Sequence, residues 1–318
     1  MKIRPYQIND YPAVVAIRNR VEPEYPMSVE AFQRRYEERD LKCLFQMLIA
    51  ENDDHPMIGY ALYTQHADMY KPHVFWLKMG VLPEHQQRGV GTVLFSALMD
   101  DLVQHQPIEL NTEVREDNLP TLKFAHQHGF SENARRWESR LDLPSADVSL
   151  WEGYDEKMAV QGIVLKSLAD LADDPERDTK FYELHWQVDS DVPLEYGEIL
   201  KLSMEEFRKE VLDNPNFVAE GTFVALDGDD YVGLSTFFKD EANNLYIYLT
   251  GTAREYRRRG IATAVKVFGI QYAKAHGYKT ILTFNDAPNI GMIAINESLG
   301  FVRQPAWLIM KKTFKVEL

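Results

Sequence analysis

Residues 74–130 lie over residues 245–301 at a constant offset of 171, with no insertion, and the uncommon residues recur in register. Gln86-Gln87-Arg88-Gly89-Val90-Gly91-Thr92 falls on Arg257-Arg258-Arg259-Gly260-Ile261-Ala262-Thr263, Asn118 falls on Asn289, and Gly129-Phe130 falls on Gly300-Phe301. In a chain of 318 residues, such a repeat specifies two copies of one folded unit of roughly 150 residues. The expected division is a first domain over 1–145, a linker over 146–160, and a second domain over 161–318. Around the join, Pro144-Ser145 and the acids Asp147, Glu152, Asp155 and Glu156 interrupt the pattern.

Each half reads as the same run of elements. A strand-like segment (3–6 or 163–166) leads into a helix (11–20, or a longer stretch through 181–186) and a proline-containing acidic loop that stops it. Two strands joined by a turn come next; in the second half they flank Asp227-Gly228-Asp229-Asp230, residues that tolerate hairpin dihedrals. In the first half they surround 52–56. A strand (74–81 or 245–252), a glycine turn and an amphipathic helix follow, with Leu94, Leu98 and Leu102 spaced i, i+4, i+8. A further strand, a helix ending near Gly129 or Gly300, and closing strands around Trp137 and Trp307 are expected to complete each half.

Several function classes are disfavoured. A net charge of -14 repels phosphate backbones, so no nucleic-acid partner is expected, whereas a cationic small substrate is compatible with it. No apolar run approaches the roughly 20 residues that cross a bilayer, and residues 1–6 lack the features of a signal peptide. A cytoplasmic protein with no membrane partner, monomeric or homodimeric, is the expectation. The single cysteine, Cys43, cannot form an internal disulfide and sits beside Leu44 and Phe45, which favours packing over catalysis or metal binding. No metal is expected.

The glycine turn has a specific physical use. Glycine lets the backbone pass close to a ligand, and the free N–H groups of a helix's first turn face an anion with the favourable end of the dipole behind them. A pyrophosphate fits such a cradle. The spacing is neither G-x-G-x-x-G nor G-x-x-x-x-G-K-[ST], which disfavours nicotinamide dinucleotides and nucleoside triphosphates. The turn occurs twice, each time 32 residues before an asparagine that stands 11 residues before Gly-Phe.

With these motifs the chain resembles the GCN5-related N-acetyltransferases (GNAT), in their tandem form. Q-Q-R-G-V-G and R-R-R-G-I-A carry the resemblance, with the blocks opening at Asn118 and Asn289. It implies an α/β (α+β) fold of two tandem GNAT domains, each a mixed sheet flanked by helices and splayed between its fourth and fifth strands. Acetyl-coenzyme A would occupy the opening as co-substrate. The resemblance implies pyrophosphate on the loop Gln86, Gln87, Arg88, Gly89, Val90, Gly91, Thr92, or on Arg257, Arg258, Arg259, Gly260, Ile261, Ala262, Thr263. The pantetheine arm would run beside Met79 and Val81, or Thr250 and Thr252, with Asn118 or Asn289 on its far side. Both asparagines also precede helices, where they can serve as caps.

The implied reaction is acetyl transfer to an amine of a small-molecule acceptor. It needs a base to remove an ammonium proton of pKa near ~10.4 and an N–H for the oxyanion, expected near Val81 or Thr252. The family often protonates the leaving thiolate with a tyrosine seven residues after the asparagine; here that position is Ala125 or Asn296. Tyr248 and Thr250, on a strand whose counterpart is apolar at both positions, and Asn296 make the second domain the expected catalyst. Asp189, Asp191 and Glu241 are its candidate acids for the amine, with Glu241 the foremost. Glu84 and Glu255 read as structural. The alternative is a non-catalytic coenzyme A-binding sensor or scaffold, motivated by the missing tyrosine in both copies.

Overall fold

The computed structural model describes residues 1–53, 56–67, 69–240 and 242–315. The chain divides into two compact units, one built from Met1–Ala134 with the chain from Trp307 onward, the other from Arg135–Ala306.

The N-terminal unit opens with β1 (Lys2–Pro5), α1 (Tyr11–Val21) and α2 (Val29–Glu37). Ser28 starts α2, its hydroxyl accepting from the Ala31 N–H at 3.1 Å, which satisfies one orphan donor of the first turn. Then come β2 (Phe45–Glu51), β3 (Gly59–Thr64), β4 (Val74–Val81), α3 (Val90–Leu102), β5 (Glu109–Arg115) and α4 (Leu119–Gln127). Tyr11, Val14 and Ile17 of α1 pack with Phe32 and Tyr36 of α2 onto Met47, Ile49 and Leu62 of the sheet. Leu94, Leu98 and Leu102, one stripe of α3, are all fully buried. Cys43 is buried in the turn before β2. Asp54 and His55, within the expected β2–β3 turn, lie outside the described residues.

In the C-terminal unit the elements are β6 (Ser131–Asp142, from Arg135 onward), α5 (Tyr154–Ala159), β7 (Ile163–Ser167), α6 (Arg177–Asp189), α7 (Met204–Phe207), β8 (Phe223–Asp227), β9 (Asp230–Lys239), β10 (Leu245–Thr252), α8 (Ile261–Ala275), β11 (Thr280–Asp286), α9 (Ile290–Ser298) and the two-residue β12 (Val302–Arg303). The expected hairpin is present: Asp227 pairs with Asp230, and Gly228 at φ 60° supplies the left-handed turn residue. Leu245, Ile247 and Ile281 pack on Val267 and Ile270 of α8. The opposite face packs Leu234 and Leu249 on Phe181, Leu184 and Val188 of α6 and Phe207 of α7.

The last strand, β13 (Trp307–Thr313), returns to the N-terminal unit and pairs with β5 from Trp307↔Arg115 to Thr313↔Glu109. β6 pairs antiparallel with β11 from Arg136↔Asp286 to Asp142↔Thr280. The closing strands are therefore exchanged between the halves, where the sequence suggested that each half keeps its own. An alternating pattern fixes which face of a strand is buried; it does not name the partner. The segment 146–160, expected as a linker, is packed into the C-terminal unit. Trp151 is buried and its Nε1 donates to the Leu299 carbonyl at 3.2 Å, while Met158 joins Ile261 and Val265 in one apolar cluster.

Candidate active site

In both units the strand before the glycine turn parts from its parallel neighbour. β4 pairs with β5 only over Val74–Trp76, although its other edge stays paired with β3 out to Val81↔Gly59. Likewise β10 pairs with β11 only over Leu245–Ile247 and with β9 out to Thr252↔Gly233. Four residues beyond Tyr248, about 13 Å of strand, form one wall of a wedge. Met79, Val81, Thr250 and Thr252 lie on such walls, beyond the last parallel pair. Gly251 lets α6 press on this wall: a Cβ there would stand 2.2 Å from Val188 Cγ1.

The wedge ends at the glycine turn, and the two turns share one backbone. Gln87 and Arg258 have φ of 57° and 61°, and Gly89 and Gly260 both have φ of 83°. These glycines are the N-caps of α3 and α8, and neither helix start carries a side-chain cap. The first-turn amides over Val90–Thr92 and Ile261–Thr263 are thus left for an anion, as the motif requires. Gln86 Nε2 donates back to the Val81 carbonyl at 3.0 Å, and Arg257 Nε to the Thr252 carbonyl at 3.4 Å; residues of unlike chemistry make the same tie. Arg88 and Arg259 occupy the matched position two residues on, and Arg259 Nε donates to Gln161 Oε1 at 3.1 Å.

Asn118 and Asn289 are helix N-caps. Asn118 Oδ1 accepts from the Thr121 N–H at 3.2 Å and Asn289 Oδ1 from the Met292 N–H at 3.4 Å. A ligand bond from either would therefore come from the amide nitrogen.

The units differ at the apex of the wedge. The β3–β4 register is continuous, whereas the β9–β10 register shifts between Ile247 and Leu249, so Tyr248 is an extra, bulged residue outside the ladder. The bulge also switches faces: Ile247 packs toward α8 and Leu249 toward α6. Tyr248 is 44 % exposed and stacks on the His185 ring at 5.8 Å. Burial pushes the His185 imidazole down to about 3, which keeps it neutral. The Thr250 hydroxyl lies 2.9 Å from that of Ser235.

Asn296 is fully buried. Its Oδ1 accepts from Lys266 Nζ, and its Nδ2 donates to Asn285 Oδ1 at 2.7 Å. Sequence reasoning missed Lys266. The available signal was an internal contrast, because α8 carries a lysine where α3 has Phe95 on an apolar stripe.

Of the acids proposed for the amine, Glu241 lies outside the described residues, and Asp189 is the last residue of α6. Asp191 is engaged elsewhere: it pairs with both Arg254 and Arg257 beside the glycine turn. Hydrogen bonds from Arg254 first, then Arg257, hold its carboxyl down at about 2. It ties the loop after α6 to the cradle and makes a poor base. Glu84 plays the matching structural part, paired with Arg20 at 3.0 Å.

Asp286 was also missed. It ends β11 within the wedge, is 5 % exposed, and has Arg136 Nε on Oδ1 at 3.2 Å. Burial raises its pKa above the usual carboxylate value. Among the described residues no cluster of His, Cys, Asp and Glu could hold a metal ion, and no helix is long and apolar enough to cross a membrane.

A sheet parted beside a helix-start anion cradle, present twice, defines a tandem acyltransferase architecture. Residues 12–130 and 180–301 match the acetyltransferase (GNAT) family; the chain belongs to that family and is an N-acetyltransferase. It is similar to a mycothiol acetyltransferase of Stackebrandtia nassauensis, 24 % identical across 80 % of this chain and 79 % of that protein. A mycothiol acetyltransferase of Streptomyces scabiei is 23 % identical across 80 % and 76 %. Among solved structures, a tandem GNAT protein from the clavulanic acid biosynthesis pathway superimposes with a TM-score of 0.72 at 16 % identity, covering 100 % of this chain and 99 % of that one. A GCN5-related N-acetyltransferase from Sphaerobacter thermophilus does so at 0.69 and 18 % identity, covering 100 % and 97 %. These two likenesses concern the fold.

Proposed function

We propose that the C-terminal unit transfers the acetyl group of acetyl-coenzyme A to an amine of a small-molecule acceptor, and that the N-terminal unit retains the binding cradle without the chemistry. The observation that carries this reading is the bulge at Tyr248, which the N-terminal unit lacks. A bulge at the apex of the wedge turns a peptide N–H out of the ladder where the thioester would arrive.

The pyrophosphate would rest on the amides from Arg258 to Thr263, the pantetheine arm would run along Thr250 and Thr252, and Asn289 Nδ2 would face it from α9. In the N-terminal unit Gln87 to Thr92, Met79, Val81 and Asn118 are the matching set. The oxyanion donor then belongs at Tyr248 or Leu249; Thr252 lies at the cradle end of the wall. The amine nitrogen attacks the thioester carbon, the new C–N bond forms, and the C–S bond breaks with its electron pair leaving on sulfur. The amine's proton passes to solvent or to a nearby base. Tyr248 borders the acceptor side, on the face that carries His185.

A second reading, coenzyme A binding without turnover, is favoured by one observation: neither Ala125 nor Asn296 is a general acid. A thiol of pKa about 8.5 can leave as thiolate and take a proton from water, so transfer remains the better reading. Thiol release from acetyl-coenzyme A across a panel of amines, including the acceptor of the mycothiol acetyltransferases, tests it. The expected result is release that is abolished by Gly260→Glu and survives Gly89→Glu. Tight coenzyme binding with no thiol released by any amine would establish the second reading instead.

A further inference from the structure

At the offset of 171, Lys266, Asn285 and Asn296 correspond to Phe95, Val114 and Ala125. The N-terminal trio is apolar and buried, with Phe95 edge-on to Phe124, His128 and Phe130. The fold therefore needs no polar group at these positions. In the C-terminal unit the same positions form one string: Lys266 on α8 donates to Asn296 on α9, which donates to Asn285 on β11.

Lys266 and Asn296 have no solvent exposure. The other neighbours of Nζ are soft, Met292 Sδ at 3.6 Å and the Phe301 ring at 5.5 Å. Burial alone perturbs this amine, with no carboxylate contributing, and pushes it down to about 7. A buried amine with no carboxylate to pair with is costly, and here it replaces an aromatic ring that packs well in the sister unit. The location suggests what is gained in return. Asn285 lies two residues past Thr283, the last β11 residue paired with β10, in the open wall of the wedge. Its side chain lies toward α9, and α8, which holds Lys266, also begins at the anion cradle.

We propose that Lys266 is a positioning residue for acetyl transfer: by occupying Asn296 Oδ1 it fixes the orientation of that amide, whose Nδ2 holds Asn285 Oδ1, so that Asn285 presents its own N–H donors to the thioester sulfur as the C–S bond breaks. The inference rests on the transfer reading given above. The sulfur leaves with the bonding pair and takes its proton from water; the string supplies hydrogen bonds and no proton, because an amide is no acid. Both the charged and the neutral amine carry N–H donors, so the amide orientation holds in either form.

The test uses the full chain, acetyl-coenzyme A and an amine that the wild type acetylates. Lys266→Met keeps the length of the side chain and removes its donors, and the triple variant K266F/N285V/N296A installs the N-terminal unit's residues. Both are expected to keep or raise the melting temperature and to bind acetyl-coenzyme A within about twofold of wild type, while kcat falls at least about tenfold. A merely structural lysine would move stability and leave kcat alone. Should Lys266→Met fail to fold, Asn285→Val, at a half-buried strand position, is expected to give the same fall in kcat. A folded Lys266→Met whose kcat stays within about twofold overturns the inference and leaves the transfer reading standing. A wild type that releases no thiol with any amine overturns both.

Discussion

Arg254 Nε donates to Asp191 Oδ2 at 2.7 Å, binding the loop after α6 to the turn that leads into the anion cradle. The N-terminal unit has a comparable tie made by other residues, Arg20 near the end of α1 to Glu84 before the glycine turn at 3.0 Å; at the offset of 171 Arg254 falls on Pro83 and Glu84 on Glu255. An ion pair in this place in both units, made by residues that are not counterparts, marks the contact as part of how the cradle is held.

Asp191→Asn should therefore act mainly on acetyl-coenzyme A. Both arginines are substantially exposed, so the loss of stability should be about 1 kcal/mol or less, with KM for acetyl-coenzyme A rising about fivefold. The folded carboxyl is depressed to about 2, below its unfolded value near ~3.9. Its contribution is complete above about pH 4 and disappears as pH falls through about 2. Thermal melts of wild type and variant should converge over that acid range; a gap that persists at pH 2 would assign the tie another origin.

Lys266 has the opposite sign. Its folded pKa of about 7 lies below the ordinary lysine value of 10.5, so the unfolded chain binds more protons between those limits and stability gains with rising pH there. The penalty is full below about 7 and gone above about 10.5. Lys266→Met should exceed wild type in stability most below pH 7, and the two should draw together toward pH 10. Parallel melting curves at every pH would show that the amine is not buried as described.

Gly89→Ala and Gly260→Ala separate backbone strain from crowding. Both positions have φ of 83°, where a Cβ costs roughly 1–2 kcal/mol. At Gly89 a Cβ meets nothing within 4 Å, whereas at Gly260 it meets Lys157 Nζ at 3.2 Å. Similar losses of melting stability are expected, since a lysine tip can move. A markedly larger loss for Gly260→Ala would mean that α5 is held rigidly over the cradle.

A chain stopped after Ala306 should damage the N-terminal unit despite losing only residues far from it in sequence. β13 supplies seven pairs along β5 and the buried side chains Leu308, Ile309 and Met310. Hydrogen exchange should show lost protection across Glu109–Arg115. Unchanged protection there would contradict the strand exchange.

The sequence by itself determined the local geometry of this protein. The offset of 171 gave two units, Gly89 and Gly260 marked a turn into a helix, Asp227 to Asp230 marked a hairpin, and Leu94, Leu98 and Leu102 marked a buried helix face, because turn preference and side-chain period are properties of neighbouring residues. Non-local choices required the tertiary structure. The strand at Trp307 could satisfy its alternation on either sheet edge, and only three-dimensional pairing places it on β5. The bulge at Tyr248 depends on the register with β9, which no local pattern contains. Asp191 reads as a free loop acid until Arg254 and Arg257, more than sixty residues on, reach it, and Lys266, which the sequence did not single out, becomes a buried amine only where Asn296 of α9 meets it. Local residues set what each segment can be; contacts distant in sequence set which charges are spent on structure and which polar groups are left for chemistry.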